Sequence, residues 1–174
     1  TPPKTEILDD LDGDTFYKVK EIAIDYETTG LRPWEKNGHR IISCGIHWQG
    51  RMIAFPVNEK TEGILRSVLL ANWIKKIGHN IKFETQWAKK CLGEDTNCWI
   101  WDTMQAAHCL DNRRGICGLK HQVYLNFGVE SWGKDFDFDE NPIQEVTDEL
   151  LRYNALDAFW TFQLYKKQKA LFKG

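Results

Sequence analysis

Ile22-Ala23-Ile24-Asp25-Tyr26-Glu27-Thr28-Thr29-Gly30-Leu31 is an apolar, β-prone run that ends abruptly in two carboxylates two residues apart. In a strand, residues i and i+2 share a face, so Asp25 and Glu27 point the same way. Two acids so placed repel each other and need a positive partner. A divalent cation supplies one: hard ions such as Mg²⁺ or Mn²⁺ prefer carboxylate oxygens, and Mg²⁺ commonly keeps waters and substrate phosphates in its remaining positions. A strand edge that exposes acids to water is the plainer reading of this stretch taken alone.

Working outward, alternation and β-branched content mark a first strand over 17–25, and turn formers carry the chain from there to Gly38. Arg40–Trp48 and Arg51–Val57 read as a hairpin about Gln49-Gly50, which extends the first strand into an antiparallel meander. Thr61 is placed to cap a helix whose apolar residues Ile64, Leu65, Val68, Leu69 and Trp73 recur at three and four and which runs to about Ile77-Gly78. A brief buried strand then leads to His79-Asn80. A second helix follows, with Phe83, Trp87 and Cys91 as its inner stripe and Glu84 one step round from it. Trp99-Ile100-Trp101 is a short strand, Asp102-Thr103 caps a helix to about Leu110, and a further helix spans 118–127. Residues 130–142 form a polar, aspartate-rich and aromatic connection. Thr147 opens a long last helix to about Leu171, with Leu151, Ala155, Ala158, Phe159 and Phe162 turned inward. This order of elements gives an α/β domain, a mixed five-stranded sheet flanked by helices, over 17–174, preceded by a loosely held acidic tail over 1–16.

With 174 residues and 42% hydrophobic content the chain can bury one sizeable core. Its formal charge of −2 carries no global positive field, which argues against a passive, tight nucleic-acid binder more than against an enzyme that reaches phosphates through metal. Five cysteines without a CxxC pair read as free thiols of a reducing compartment. No apolar run approaches a membrane span and no signal pattern opens the sequence, so the expectation is an intracellular protein, cytoplasmic or nucleoid-associated, without membrane contact. Asp10, Asp12 and Asp14 have the spacing of a calcium loop, but Gly13 falls where the sharp turn does not need it, and a solvated acidic turn explains them.

Tyr153 and Asp157 lie four apart on the last helix and share one surface. With Asp25, Glu27 and Glu84 they supply four acids and a phenol on three elements. In this setting Asp25-Tyr26-Glu27-Thr28-Thr29-Gly30-Leu31 resembles the first exonuclease motif of the DEDD superfamily, His79-Asn80-Ile81-Lys82-Phe83-Glu84 the second, and Tyr153-Asn154-Ala155-Leu156-Asp157 the third. The tyrosine of the third motif, together with Arg152 where the histidine branch carries its histidine, is similar to the tyrosine branch. That branch includes proofreading domains of the DNA polymerase I family. Trp101-Asp102-Thr103-Met104 and Gly118-Leu119-Lys120 extend the resemblance, which covers about 17–171.

The resemblance implies a ribonuclease H-like fold and a metal-dependent 3′-to-5′ exonuclease acting on DNA, with single-stranded 3′ ends favoured and a polymerase domain or subunit as a partner. RNA trimming by a relative with the same acids is the alternative, since this motif chemistry does not read the 2′-hydroxyl. It further implies two ions, Mg²⁺ or Mn²⁺, with Asp25 bridging them, Glu27 and Asp157 on the water-activating ion and Glu84 on the other. Tyr153 orients the attacking water, Thr28 lies by the terminal sugar and phosphate, Leu31 wedges the terminal base and Asn80 holds the strand. Glu84 departs from the family's usual aspartate; it keeps the charge and reaches one methylene further, and retained activity is the expectation. A module that binds a nucleic-acid end or a partner protein without cleaving is the rival that this departure keeps open. Burial in the core explains Trp34, Trp132 and Trp160 more simply than base stacking does. Lys89-Lys90 and Lys166-Lys167 read as solvation of outer helix faces.

Overall fold

Strand β2 (Glu21–Thr28) sits in the middle of the sheet, and its alternation sorts the molecule into two layers. Ile22, Ile24 and Tyr26 face one side and join Cys44, Ile46, Ile53 and Phe55 in the larger core. Ala23, Asp25 and Glu27 face the other side. The computed structural model describes residues 1–133 and 145–174; most of the connection read at 130–142 lies outside them.

The expected meander is present: β2 pairs antiparallel with β3 (Ile41–Trp48), and β3 with β4 (Arg51–Pro56). Strands β5 (Lys75–Gly78) and β6 (Trp99–Asp102) add in parallel beyond β2. Helices α1 (Glu62–Leu70) and α2 (Ile81–Leu92) cover the Ile22 face through Leu65, Val68, Leu69 and Trp87. Helix α5 (Asp148–Lys173) crosses the opposite face, where Leu151, Ala155 and Phe159 meet Met52 and Ala54. The approach is close because small residues floor it. A Cβ on Gly45 of β3 would stand 2.3 Å from the Asn154 carbonyl oxygen of α5. Helices α3 (Thr103–Leu110) and α4 (Leu119–Phe127) lie beside α5, and no described helix is long and apolar enough to cross a membrane.

Among the described residues the sheet has six strands, not five, with β1 (Thr5–Ile7) at one edge of the order β1-β4-β3-β2-β5-β6. The extra one, β1, comes from the segment read as a tail; it pairs parallel with β4, and Arg51 donates to Glu6 at 2.7 and 2.9 Å across that edge. The first helix also ends earlier than its periodicity suggested, at Leu70, leaving Trp73 73% exposed. Strand pairing overrides helix propensity here. Glu21, Ile22 and Ala23 of β2 take Lys75, Lys76 and Ile77 as partners, and the buried Lys76 ammonium donates to the carbonyls of Ala71 and Ile74, closing the turn between helix and strand. Thr61 precedes α1, but its hydroxyl donates to the Pro56 carbonyl at 2.7 Å instead of capping the helix.

Candidate active site

Asp25 and Glu27 enter the site from β2, and the Asp157 carboxylate meets them from α5. One oxygen of each lies within 4.8 Å of the others. Asn154, one turn before Asp157 and fully buried, locks the two elements together. Its amide donates to the Asp25 carbonyl at 3.1 Å and to Asp25 Oδ2 at 2.7 Å, while its Oδ1 accepts from the Ser43 hydroxyl at 2.7 Å. Strand register prepares this arrangement: Gly45 lies opposite Asp25 and Ser43 opposite Glu27. Trp132 Nε1 donates to Asp157 Oδ1 at 2.8 Å, and the Trp132 ring packs on Trp160.

Glu84 is buried, 1% exposed, and lies outside the three-acid group among the described residues. Its Oε2 has no hydrogen-bond partner among the described residues. Helix α2 reaches this place by an unusual cap: Asn80 adopts a left-handed φ of 72° and makes no side-chain cap, and Asp102 of β6 accepts from the Asn80 and Ile81 amides at 3.0 and 2.9 Å instead. The same carboxylate caps α3 by accepting from Met104 and Gln105.

Burial, more than the crowding of these acids, sets their protonation. Burial, then the charges of Asp157, Glu27 and Glu84, hold the Asp25 carboxyl well above the usual range, opposed by the Asn154 hydrogen bond. Burial and Asp157 raise Glu27, partly offset by Lys120. Burial raises Glu84, with Asp102 and Glu27 adding to it. Burial pushes Asp157 up to about 7 against the lowering effect of Trp132, Lys120 and Asp25. Tyr153 is likewise raised by burial and by the three neighbouring acids, so its hydroxyl keeps its proton at neutral pH. Lys120 lies 5.0 Å over the Tyr153 ring, and a Cβ on Gly133 would meet that ring at 2.6 Å.

Asp25 and Asp157, with His79, Gly118, Leu119, Lys120, His121 and Tyr153, border an open cleft of about 500 Å³. The hard carboxylate oxygens of Asp25, Glu27 and Asp157 suit a divalent cation such as Mg²⁺, and the buried Glu84 Oε2, unpartnered among the described residues, is a further hard donor of the same kind. Thr28, Leu31 and Asn80, also singled out in the sequence, are not among the residues that line it. Thr28 is buried and its hydroxyl donates to the Gly30 carbonyl at 2.7 Å, tying the loop after β2. Leu31 stands 56% exposed on that loop, and Asn80 is half-buried at the start of α2. Sequence reasoning missed Asn154 and Ser43 as organisers, found Asp102 only as the cap of α3, which it is, and read Trp132 as core. The signal for Asn154 was present, an amide within an otherwise apolar helix face.

A half-open, metal-suited pocket of carboxylates on the central strand and last helix of a mixed sheet is a ribonuclease H-like nuclease site. Residues 14–171 match the 3′-5′ exonuclease family model, and the chain belongs to that family, as a hydrolytic nuclease of the DEDD superfamily. Among curated proteins no sequence matches the chain. Among solved structures it is similar to Brucella melitensis NrnC, with a TM-score of 0.76 and 21% identity over 98% of this chain and 81% of that one. It is also similar to the catalytic core of Trypanosoma brucei RRP6, with a TM-score of 0.76 and 17% identity over 99% and 48%. Escherichia coli RNase D aligns with a TM-score of 0.73 and 16% identity over 96% and 44%.

Proposed function

We propose that this chain removes nucleotides stepwise from single-stranded 3′ ends of DNA by metal-dependent phosphodiester hydrolysis. The observation that carries this reading is the meeting of Asp25, Glu27 and Asp157 within 4.8 Å, against a fold of the 3′-5′ exonuclease family. Asp25, Glu27 and Asp157 would hold one divalent ion, Mg²⁺ or Mn²⁺, and Glu84 would support a second shared with Asp25. When bound, such ions supply Lewis-acid stabilisation of the phosphate oxygens and a lowered pKa for water. Asn154 fixes the Asp25 carboxylate, and Trp132 fixes that of Asp157. Tyr153, protonated at neutral pH, orients the attacking water by hydrogen bonding and does not act as a base. Thr28 backs the terminal nucleotide, Leu31 wedges its base, and Asn80 holds the strand. Proofreading beside a polymerase domain or subunit is the setting we propose for this activity.

RNA trimming is the second reading, and the structural relatives favour it. RNase D is described as an exoribonuclease involved in structured RNA processing, and NrnC has been solved bound to pGG and with bound Mg²⁺. A gel time course with 5′-labelled single-stranded DNA and RNA of matched sequence, in Mg²⁺, Mn²⁺ or EDTA, separates the two. Stepwise shortening that needs metal and is lost in Asp157→Ala is the expected result, and the faster lane names the sugar. End binding by folded protein without shortening in any metal would instead make the chain a non-cleaving module.

A further inference from the structure

The loop that follows the acids of β2 carries a large aromatic side chain that the fold holds out of its core. Trp34 is 64% exposed, whereas Pro33 beside it is buried and anchors the turn. The loop is pinned at both ends. The Thr29 amide donates to the Arg40 carbonyl at 3.1 Å, the Arg40 amide donates to the Thr29 hydroxyl at 2.9 Å, and that hydroxyl and His39 Nδ1 are hydrogen-bonded at 2.9 Å. Gly30 lies so close to the His39 ring that a Cβ there would come within 2.7 Å of it. A tryptophan on a loop built this firmly is displayed, at the cost of leaving a large apolar ring in water.

Opposite the ring, α2 presents Lys82, Gln86 and Lys90 at intervals of four, one flank of the helix that carries Glu84 on its inner face. Lys90 Nζ stands 5.5 Å from the centre of the Trp34 ring. Arg32, Trp34, Glu35, Lys82 and Gln86 border a groove of about 520 Å³. The Lys90 flank read from the sequence as an outer, solvated face therefore borders a groove with two further cations and an open aromatic surface. Aromatic rings flanked by cations are what a single-stranded nucleic acid requires, bases for the ring and phosphates for the lysines and arginine.

We infer that Trp34, with Arg32, Lys82 and Lys90, is a stacking platform for single-stranded nucleic acid upstream of the nucleotide being removed. This rests on the exonuclease reading above, with Leu31 at the terminal base. Trp34 lies three positions after Leu31, a reach of at most about 10 Å. At a rise of about 3.4 Å per nucleotide along a strand, the ring meets a base within about three nucleotides of the end. The platform thus makes binding depend on length: with the ring at the third base from the end, a dinucleotide stops short of it and a pentanucleotide runs past it.

Anisotropy titrations of 5′-labelled two- and five-nucleotide DNA and RNA in EDTA, with wild type, Trp34→Ala and Trp34→Phe, read the platform without cleavage. Trp34→Ala should weaken pentanucleotide binding by about 5- to 150-fold, the range that stacking on one aromatic supplies. Dinucleotide affinity should stay within about twofold of wild type, and Trp34→Phe should recover most of the loss. Equal weakening at both lengths, no weakening at either, or a wild type that binds both lengths equally would overturn the inference. The same oligonucleotides with Mg²⁺ test the other reading separately. Length-dependent, Trp34-dependent binding without any shortening would sink the exonuclease proposal and leave the platform standing.

Discussion

Replacing Gly45 with alanine tests whether the packing of α5 on β3 sets the geometry of the acids. The added methyl would lie 2.3 Å from the Asn154 carbonyl oxygen, 2.5 Å from its carbon and 2.8 Å from the Ala155 nitrogen. All three are backbone atoms, so no side chain can swing aside. Restoring an ordinary 3.4 Å contact requires α5 and β3 to separate by about 1.1 Å. That displacement stretches the 2.7 Å bonds from Asn154 to Asp25 and from Ser43 to Asn154 beyond hydrogen-bonding range, and it carries Asp157 away from Asp25 and Glu27. Overpacking of this kind costs about 1–3 kcal/mol of stability. A misplacement of about 1 Å at reacting groups costs about 10²-fold in rate. Urea denaturation gives the first quantity and single-turnover cleavage at saturating Mg²⁺ the second, with circular dichroism checking that the variant is folded. A folded Gly45→Ala protein with wild-type stability and rate would refute the claim that this contact positions the site. Lost stability with an unchanged rate would confine the contact to a packing role.

In EDTA the folded chain should lose stability as pH rises from about 4 to about 7. The folded state holds the Asp157 proton until about pH 7, whereas the unfolded chain releases it near 3.8, so the stabilisation is full below about pH 4 and fades as pH passes 7. Denaturation midpoints across that range should show the slope, and Asp157→Asn should make it shallower without abolishing it, since Asp25, Glu27 and Glu84 are raised in the same direction. Trp132→Phe removes the hydrogen bond that lowers the Asp157 pKa, so half-maximal Mg²⁺ binding at fixed metal should move to higher pH, measured by calorimetry. Lys76→Met leaves the Ala71 and Ile74 carbonyls without their ammonium donor; a loss of about 1–3 kcal/mol in urea unfolding, with cleavage by the remaining folded protein unchanged, is expected.

The parts of the fold that could be read from sequence are those whose signals are local. The meander about Gln49-Gly50 and the long last helix opened by Thr147 follow from alternation, turn chemistry and capping, and the Thr147 hydroxyl does accept from the Leu150 amide. Strand β1 was hidden because Thr5-Glu6-Ile7 has too few residues to show a period; its partner, β4, lies more than forty residues away. Trp73 kept the first helix going on paper because its spacing fits, yet pairing of Lys75–Ile77 with β2 decides the chain's course. Within the site, the carboxylates were visible as motif residues. Ser43 and Gly45 were not, since their use depends on strand register, and Glu84's burial depends on a cap supplied from β6.

That cap has a mechanical consequence. Asp102 grips the first amides of α2 and α3 with one carboxylate, so the two helices share a single pivot at the end of β6. Glu84 rides about one turn beyond the pivot on α2, and its axial position is therefore referenced to the sheet and not to the loop in front of it. Side-chain reach and helix setting become interchangeable variables: a glutamate suits a pivot set slightly further back, an aspartate one set forward. A variant at Asp102 would thus move the fourth acid without touching it, and Asp102→Asn is the substitution in which to look for suppression by Glu84→Asp.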